Sequence, residues 1–200
     1  MVPDLTAFVL AGGKSTRMGR DKATLPLAGR TLLETALAVA RSVTKDVFIL
    51  GPPGLYGAYG EVIADIFPGC GPLGGIHAAL TCSRTDLNLV LAVDTPFLSA
   101  RLLAYLVGRA GESTAMVAAP EINFYPQPLC AVYRRDFLPI AELALRAGNY
   151  KIVPLFPPDR TLAIPEAELA RFAFTAEMFE NLNTPEDLEH ARRRTSDKRS

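Results

Sequence analysis

The segment from Phe8 to Lys22 constrains this chain most: Phe-Val-Leu-Ala-Gly-Gly-Lys-Ser-Thr-Arg-Met-Gly-Arg-Asp-Lys. It opens as a strand, because Ala7 to Ala11 is apolar but too short for a helix. It breaks at Gly12-Gly13, where the missing Cβ lets the backbone turn and approach a ligand closely. Lys14, Ser15, Thr16, Arg17, Gly19 and Asp21-Lys22 follow. Backbone N–H groups, hydroxyls and fixed positive charge in one loop make a seat for a polyphosphate. Two familiar phosphate loops are excluded. A P-loop needs a glycine five residues before Gly13-Lys14, and Phe8 stands there. The dinucleotide fingerprint G-x-G-x-x-G fails because Gly12 and Gly13 are adjacent.

The rest of the chain alternates short apolar runs with helical patterns. Thr31 and Glu34 form a capping box for a helix over Leu32–Val43. Val47–Leu50 reads as a buried strand, and the run from Pro52 to Gly60 as a mobile, turn-rich loop. Val62–Ala64 is a short strand delivering Asp65. Pro68 to Gly75 reads as a second close backbone approach, with a helix following from about Ile76 to Cys82. Leu87–Val93 is nearly all apolar, as a strand covered on both faces requires, and it ends in Asp94-Thr95-Pro96. Ser99 caps a helix with Leu102, Leu103, Leu106 and Val107 on its inner side. Further strands are expected at Met116–Ala119, Leu129–Tyr133 and Phe172–Phe174, with a helix over Phe137–Arg146. The proline-containing stretch 151–164 fixes no topology by its pattern. Thr184 caps a last helix with Pro185 at its first position.

This alternation predicts a three-layer α/β/α, Rossmann-like fold with a mostly parallel central sheet and right-handed crossovers. Residues 1–191 are expected to form a single domain, and 192–200 a disordered basic tail. In such sheets ligands sit outside the carboxyl ends of the strands. The Gly12 loop, Asp65 and Asp94 all follow strands directly, so one edge gathers three separated motifs.

Composition narrows the function. The 21 basic and 21 acidic residues cancel, which argues against nucleic acid as a partner. Cys70, Cys82 and Cys130 are odd in number and form no Cys-x-x-Cys site; they read as reduced core thiols of a cytoplasmic protein. No apolar run approaches 18 residues, so no membrane span is expected.

Asp94 beside a triphosphate suits Mg²⁺, which one or two carboxylates plus substrate phosphates usually hold. Asp94 opening a turn with Thr95-Pro96 is the plain alternative. Asn181 and Asn183 point the same way in an extended segment, and either amide oxygen could complete the metal sphere. Equally, asparagines before a helix are common turn formers. Arg17 and Lys22 supply charge to phosphates, whereas Lys14 and Arg20 read as the solvated side of the loop. His77 reads as a packed histidine.

The motif Leu10-Ala-Gly-Gly-x-Ser-x-Arg-Met-Gly-x-Asp-Lys22 resembles the signature of nucleotidyltransferases that make sugar and cofactor nucleotides, the nucleoside-diphospho-sugar transferase type. In this form it looks most like the molybdenum cofactor guanylyltransferase family. Weaker matches continue at Gly71-Pro-Leu-Gly-Gly75, Asp94-Thr-Pro-Phe-Leu98, Gln127-Pro-Leu129 and Asn181-x-Asn183. The resemblance implies transfer of GMP from GTP to molybdopterin carrying molybdenum, with release of pyrophosphate. It implies Mg²⁺ on Asp94; catalytic roles are expected for Arg17, Lys22 and Asp94, and Asn183 is the second expected metal ligand. Nucleotide contacts are expected at Leu10, Ala11, Gly12, Gly13, Ser15, Lys22, Asp65 and Asp94. Gln127, Pro128 and Asn181 are expected to face the acceptor. Other molybdenum cofactor biosynthesis or acceptor proteins are possible partners. Where the family often carries Asn after the second strand, a base or ribose contact, this chain has Gly51-Pro52-Pro53. The related cytidylyltransferase usually carries Leu-Ala-Ala-Gly, so Gly13 and the pair Gly74-Gly75 point to the larger guanine. The competing readings are a nucleotidyltransferase with another nucleotide or acceptor and a non-catalytic nucleotide-binding regulator.

Overall fold

The computed structural model describes residues 4–12 and 21–197. In chain order the elements are β1 (Leu5–Leu10), β2 (Pro26–Leu27), β3 (Arg30–Thr31), α1 (Leu32–Arg41), β4 (Val47–Leu50), α2 (Pro53–Tyr56), β5 (Val62–Ile63) and α3 (Pro72–Cys82). Next come β6 (Leu87–Ala92), α4 (Ala100–Gly111), β7 (Val117–Ile122), β8 (Tyr125–Pro126), β9 (Cys130–Arg134), α5 (Leu138–Arg146), β10 (Thr161–Pro165), α6 (Glu166–Ala170) and α7 (Pro185–Asp197). The main sheet has the order β10-β7-β9-β6-β1-β4-β5, with β8 paired to β7. Strands β6, β1, β4 and β5 run parallel. Strand β9 runs antiparallel to both β6 and β7, while β10 is parallel to β7.

The two faces of β1 explain the layers. Leu5, Ala7 and Val9 join a core with α1, α4, α6 and α7, including Leu33, Leu37, Leu103, Leu106, Leu169 and Leu188. Phe8 and Leu10 join a second core with α3 and α5, including Ile76, Leu80, Phe137 and Ala141. Successive strand side chains point to opposite faces, so a strand covered on both must be apolar throughout.

Several expectations are corrected. Helix α3 starts at Pro72 rather than near Ile76, so Gly74 and Gly75 lie in its first turn. Gly71 precedes it at φ 66, ψ −156, a conformation essentially reserved for glycine. A Cβ at Gly75 would stand 2.4 Å from Leu10 Cδ2, and one at Gly74 2.9 Å from the Phe67 carbonyl oxygen. Gly75 lets α3 approach β1, and Gly74 lets it approach the Phe67 backbone; the space that Gly75 leaves is filled by Leu10 rather than kept for a guanine. Phe172–Phe174 is a turn with Ala173 at φ 59, and both rings pack on Tyr105 of α4 at 4.6 and 5.6 Å. The expected tail is helical through Asp197. Arg194 pairs there with Glu177 and Glu180 and lies 4.5 Å over the Phe97 ring. Of the three cysteines only Cys130 is core; Cys82 is exposed and Cys70 intermediate. Burial pushes the Cys130 thiol up to about 12. The segment 151–164 resolves into two short 3₁₀ turns and most of β10. No described helix is long and apolar enough to cross a membrane.

Candidate active site

Register places the site. Leu10 of β1 lies level with Leu50 of β4 and with Ala92 of β6, and Leu50 with Ile63 of β5. Four parallel strands therefore end at one edge, and Gly12, Gly51, Asp65 and Asp94 all emerge there. The Ala11 and Gly12 N–H groups both donate to the Leu50 carbonyl, at 3.0 and 3.1 Å. They are committed to the sheet rather than offered to a phosphate. Leu10 and Ala11 are buried. A Cβ on Gly12 would come within 3.3 Å of Gly51 Cα, so the two strand exits touch backbone to backbone. The expected site residues Gly13, Ser15 and Arg17 lie outside the described residues.

Lys22 enters from a 3₁₀ turn, Lys22–Thr24, that Asp21 caps through the Ala23 N–H at 3.1 Å. Its ammonium donates to Asp94 Oδ2 at 3.1 Å and to Asn183 Oδ1 at 2.9 Å. The lysine and aspartate side chains are 14% and 23% exposed. Three positions 161 residues apart at the extremes thus meet on one cation. The extended segment carrying Asn183 is tied to the strand end by Leu182 N–H donating to the Asp94 carbonyl, 2.8 Å. Asp187 holds the other side: its Oδ2 accepts from the N–H groups of Asn183 and Thr184, 2.8 and 2.9 Å, and its own N–H donates to Thr184 Oγ1. Those two backbone N–H groups hold the Asp187 carboxyl below the usual carboxylate range. The Thr-Pro-Glu-Asp spacing was the available signal for this cap.

Asp94 Oδ1 is buried and without a hydrogen-bond partner among the described residues. An orphaned carboxylate oxygen at a strand end, with an amide oxygen nearby, is the donor type that Mg²⁺ takes. No cluster of three or more His, Cys, Asp or Glu residues occurs among the described residues, so a metal here would draw most of its shell from phosphates and water. Asn183 Oδ1 is engaged by Lys22, which makes its amide an anchor for the lysine in this structure.

Asp65 stands apart. Its strand is three places from that of Asp94, about 14 Å at the usual strand spacing. Burial holds its carboxyl above the ordinary value although the residue is largely exposed. Gln127 donates to the Tyr125 carbonyl at 3.0 Å, and its N–H bonds the Pro120 carbonyl at 2.8 Å. Pro128 follows it in the turn that leads into β9, at the same edge, where the Leu129 carbonyl accepts from the Ala92 N–H. Asn181 is exposed and does not join the Lys22 cluster. His77 is buried against Phe67, ring centroids 4.9 Å apart, as a packed histidine.

Two residues escaped the sequence reading. Tyr56, in the run expected to be a mobile loop, is 2% exposed, and its hydroxyl lies within hydrogen-bond distance of the Ala11 carbonyl and of Asp21 Oδ1. Phe124 tips the β7–β8 hairpin at 95% exposure, with Asn123 and Phe124 at φ 51 and 61. Positive φ at both central residues fits the right-handed twist of a two-residue hairpin, but is unusual for phenylalanine.

The architecture is that of the nucleotidyltransferases, in the nucleoside-diphospho-sugar transferase type. Residues 7–157 match the MobA-like NTP transferase domain, and the chain belongs to that family. It is 35% identical over 190 residues to a probable molybdenum cofactor guanylyltransferase from Pelotomaculum thermopropionicum, covering 94% of this chain and 91% of that protein. It is also 35% identical over 190 residues to the molybdenum cofactor guanylyltransferase of Desulfosudis oleivorans, covering 94% of each. Among solved structures it is similar to molybdopterin-guanine dinucleotide biosynthesis protein A from Archaeoglobus fulgidus. That match has a TM-score of 0.84 at 28% identity and covers 96% of this chain and 99% of that one.

Proposed function

We propose that this protein transfers GMP from GTP to the terminal phosphate of molybdopterin carrying molybdenum, yielding the guanine dinucleotide cofactor and pyrophosphate. The observation that carries the reading is the convergence of Lys22, Asp94 and Asn183 at the carboxyl edge of the sheet, in a chain of this family. A nucleotide laid along that edge would place its phosphates over β1 and β6, beside Lys22, and its nucleoside toward β5 and Asp65. The acceptor would then approach from the β7–β9 side, where Gln127, Pro128 and the Phe124 hairpin stand.

In the reaction an oxygen of the acceptor phosphate attacks the α-phosphorus of GTP. A new phosphorus–oxygen bond forms, and the bond to the oxygen bridging the α- and β-phosphorus breaks. Pyrophosphate leaves with that electron pair. Catalysis of this kind is positioning and charge stabilisation, so no protein nucleophile is required. Lys22 supplies a point charge to the phosphates. Asp94 would hold a magnesium ion through Oδ1, and such an ion supplies neutralising charge for the phosphate oxygens. Asn183, fixed by Asp187, keeps the lysine aimed at the strand end.

The test is nucleotide competition calorimetry with Mg²⁺, followed by a turnover assay with molybdopterin. GTP is expected to bind more tightly than CTP and to be consumed with release of pyrophosphate. Equal or tighter CTP binding would defeat the guanylyl assignment. GTP binding without turnover would favour a regulator.

A further inference from the structure

We propose that Tyr56 is a positioning residue for Lys22, acting through Asp21; the inference deepens the guanylyl-transfer reading and rests on it for its effect on GTP. The Tyr56 hydroxyl lies 3.1 Å from the Ala11 carbonyl oxygen and 2.9 Å from Asp21 Oδ1. Ala11 is where the chain leaves β1, and Asp21 is where it enters the turn that carries Lys22. One buried phenol therefore spans the two ends of the phosphate loop. A phenol has a single hydrogen, so it donates to one of these two oxygens at a time, and the charged carboxylate is the stronger acceptor. The same Asp21 oxygen accepts the Ala23 N–H at 3.1 Å, which caps the turn. The carboxylate that shapes the Lys22 turn is thus itself held from the sheet side.

The ring is braced as well as the hydroxyl. Its Cε2 atom stands 2.9 Å from the position a Cβ on Gly51 would occupy, so the absence of a side chain after β4 seats the tyrosine. This gives the Gly51-Pro52-Pro53 departure a physical role. Pro52 precedes α2, Pro53 begins it, and the short helix delivers Tyr56 inward. Burial, followed by the Asp21 carboxylate, raises the phenol's pKa well above its ordinary value, so it remains a donor at working pH. Lys22 must satisfy Asp94 Oδ2 and Asn183 Oδ1 together, at 3.1 and 2.9 Å. Without the hydroxyl, the Asp21 carboxylate that shapes the turn carrying Lys22 loses its hydrogen bond to the ring seated against Gly51.

The experiment compares Tyr56→Phe, Asp21→Ala, Asp21→Asn and the double variant Tyr56→Phe/Asp21→Ala with the wild-type protein. Two readouts are used: GTP affinity by calorimetry with Mg²⁺, and hydrogen exchange of the Ala23 amide by NMR. Tyr56→Phe should weaken GTP binding about fivefold, the worth of one ordinary net hydrogen bond, and Asp21→Ala by more, because it also removes the Ala23 cap. The double variant should bind no more weakly than Asp21→Ala alone, because the Tyr56 hydroxyl acts only through Asp21. Asp21→Asn keeps an oxygen acceptor and should stay near wild type. Ala23 exchange should quicken in Tyr56→Phe while amides of β6 remain protected. Unchanged Ala23 exchange in Tyr56→Phe, or losses of affinity that multiply in the double variant, would overturn the proposal. Should the wild-type protein fail to bind GTP, the exchange readout still decides the role of Tyr56, and the failure falls on the guanylyl reading alone.

Discussion

Replacing Lys22 by alanine should damage stability and catalysis by separable amounts. In the folded protein its ammonium is the partner of Asp94 Oδ2, while Oδ1 has none among the described residues. Lys22→Ala therefore strands a carboxylate that is 23% exposed. Breaking a fully buried ion pair costs about 3–5 kcal/mol, and an exposed pair about 0–1 kcal/mol. With side chains 14% and 23% exposed the pair falls between these limits, so about 2 kcal/mol is expected. For a chain of 200 residues that lowers the melting temperature by about 4–8 °C. Adding Asp94→Asn removes the stranded charge, and the double variant should recover about half of the loss, since a neutral amide is cheaper to leave unpaired. Activity should not recover. Losing a preorganised charge on the phosphates costs about a hundredfold in rate, and each single variant and the double should show at least that. The assays are differential scanning calorimetry and steady-state pyrophosphate release. If the two stability losses simply add, Lys22 and Asp94 are not coupled as described. If Lys22→Ala turns over like the wild type, the lysine is a bystander.

Two further predictions concern the scaffold. Burial, more than the opposing Glu142 charge can offset, lowers the pKa of His77, so the folded state prefers it neutral. The unfolded chain then binds the proton more readily in acid: stability from this residue is full above about pH 6.5 and is lost as pH falls through the folded value. His77→Gln should narrow the drop in melting temperature between about pH 7.5 and 5, and a parallel drop in both proteins would refute this. Thr31 caps α1 by accepting the Glu34 N–H at 3.1 Å, and the Glu34 carboxylate accepts the Thr31 N–H at 2.7 Å. Thr31→Ala should cost about 1 kcal/mol in urea unfolding with an unchanged m-value; a change below a few tenths of that would show the cap to be idle.

The sequence alone determined the layered architecture, because hydrophobic runs covered on both faces can only be interior strands of a sheet with helices on each side. Leu87–Val93 and Val47–Leu50 were legible for that reason, and the strand-end rule placed Gly12, Asp65 and Asp94 at one edge. The capping signals at Thr31, Ser99 and Thr184 were equally local, and their hydrogen bonds are present. Three-dimensional packing decided the rest. Glycines at 74 and 75 looked like a loop, but they lie in the first turn of a helix that packs against the Phe67 carbonyl and Leu10 with no room for a side chain at either. The Phe172-Ala-Phe174 alternation looked like a strand, yet its rings cover Tyr105 from a turn. Nothing in the run from Pro52 to Gly60 announces a buried tyrosine, because its two acceptors lie 45 and 35 residues away. The pairing of Lys22 with Asn183 spans 161 positions, and no local pattern encodes it. Residue types reveal which groups can hold a phosphate or a metal; only the closed sheet determines which of them share the same few ångströms.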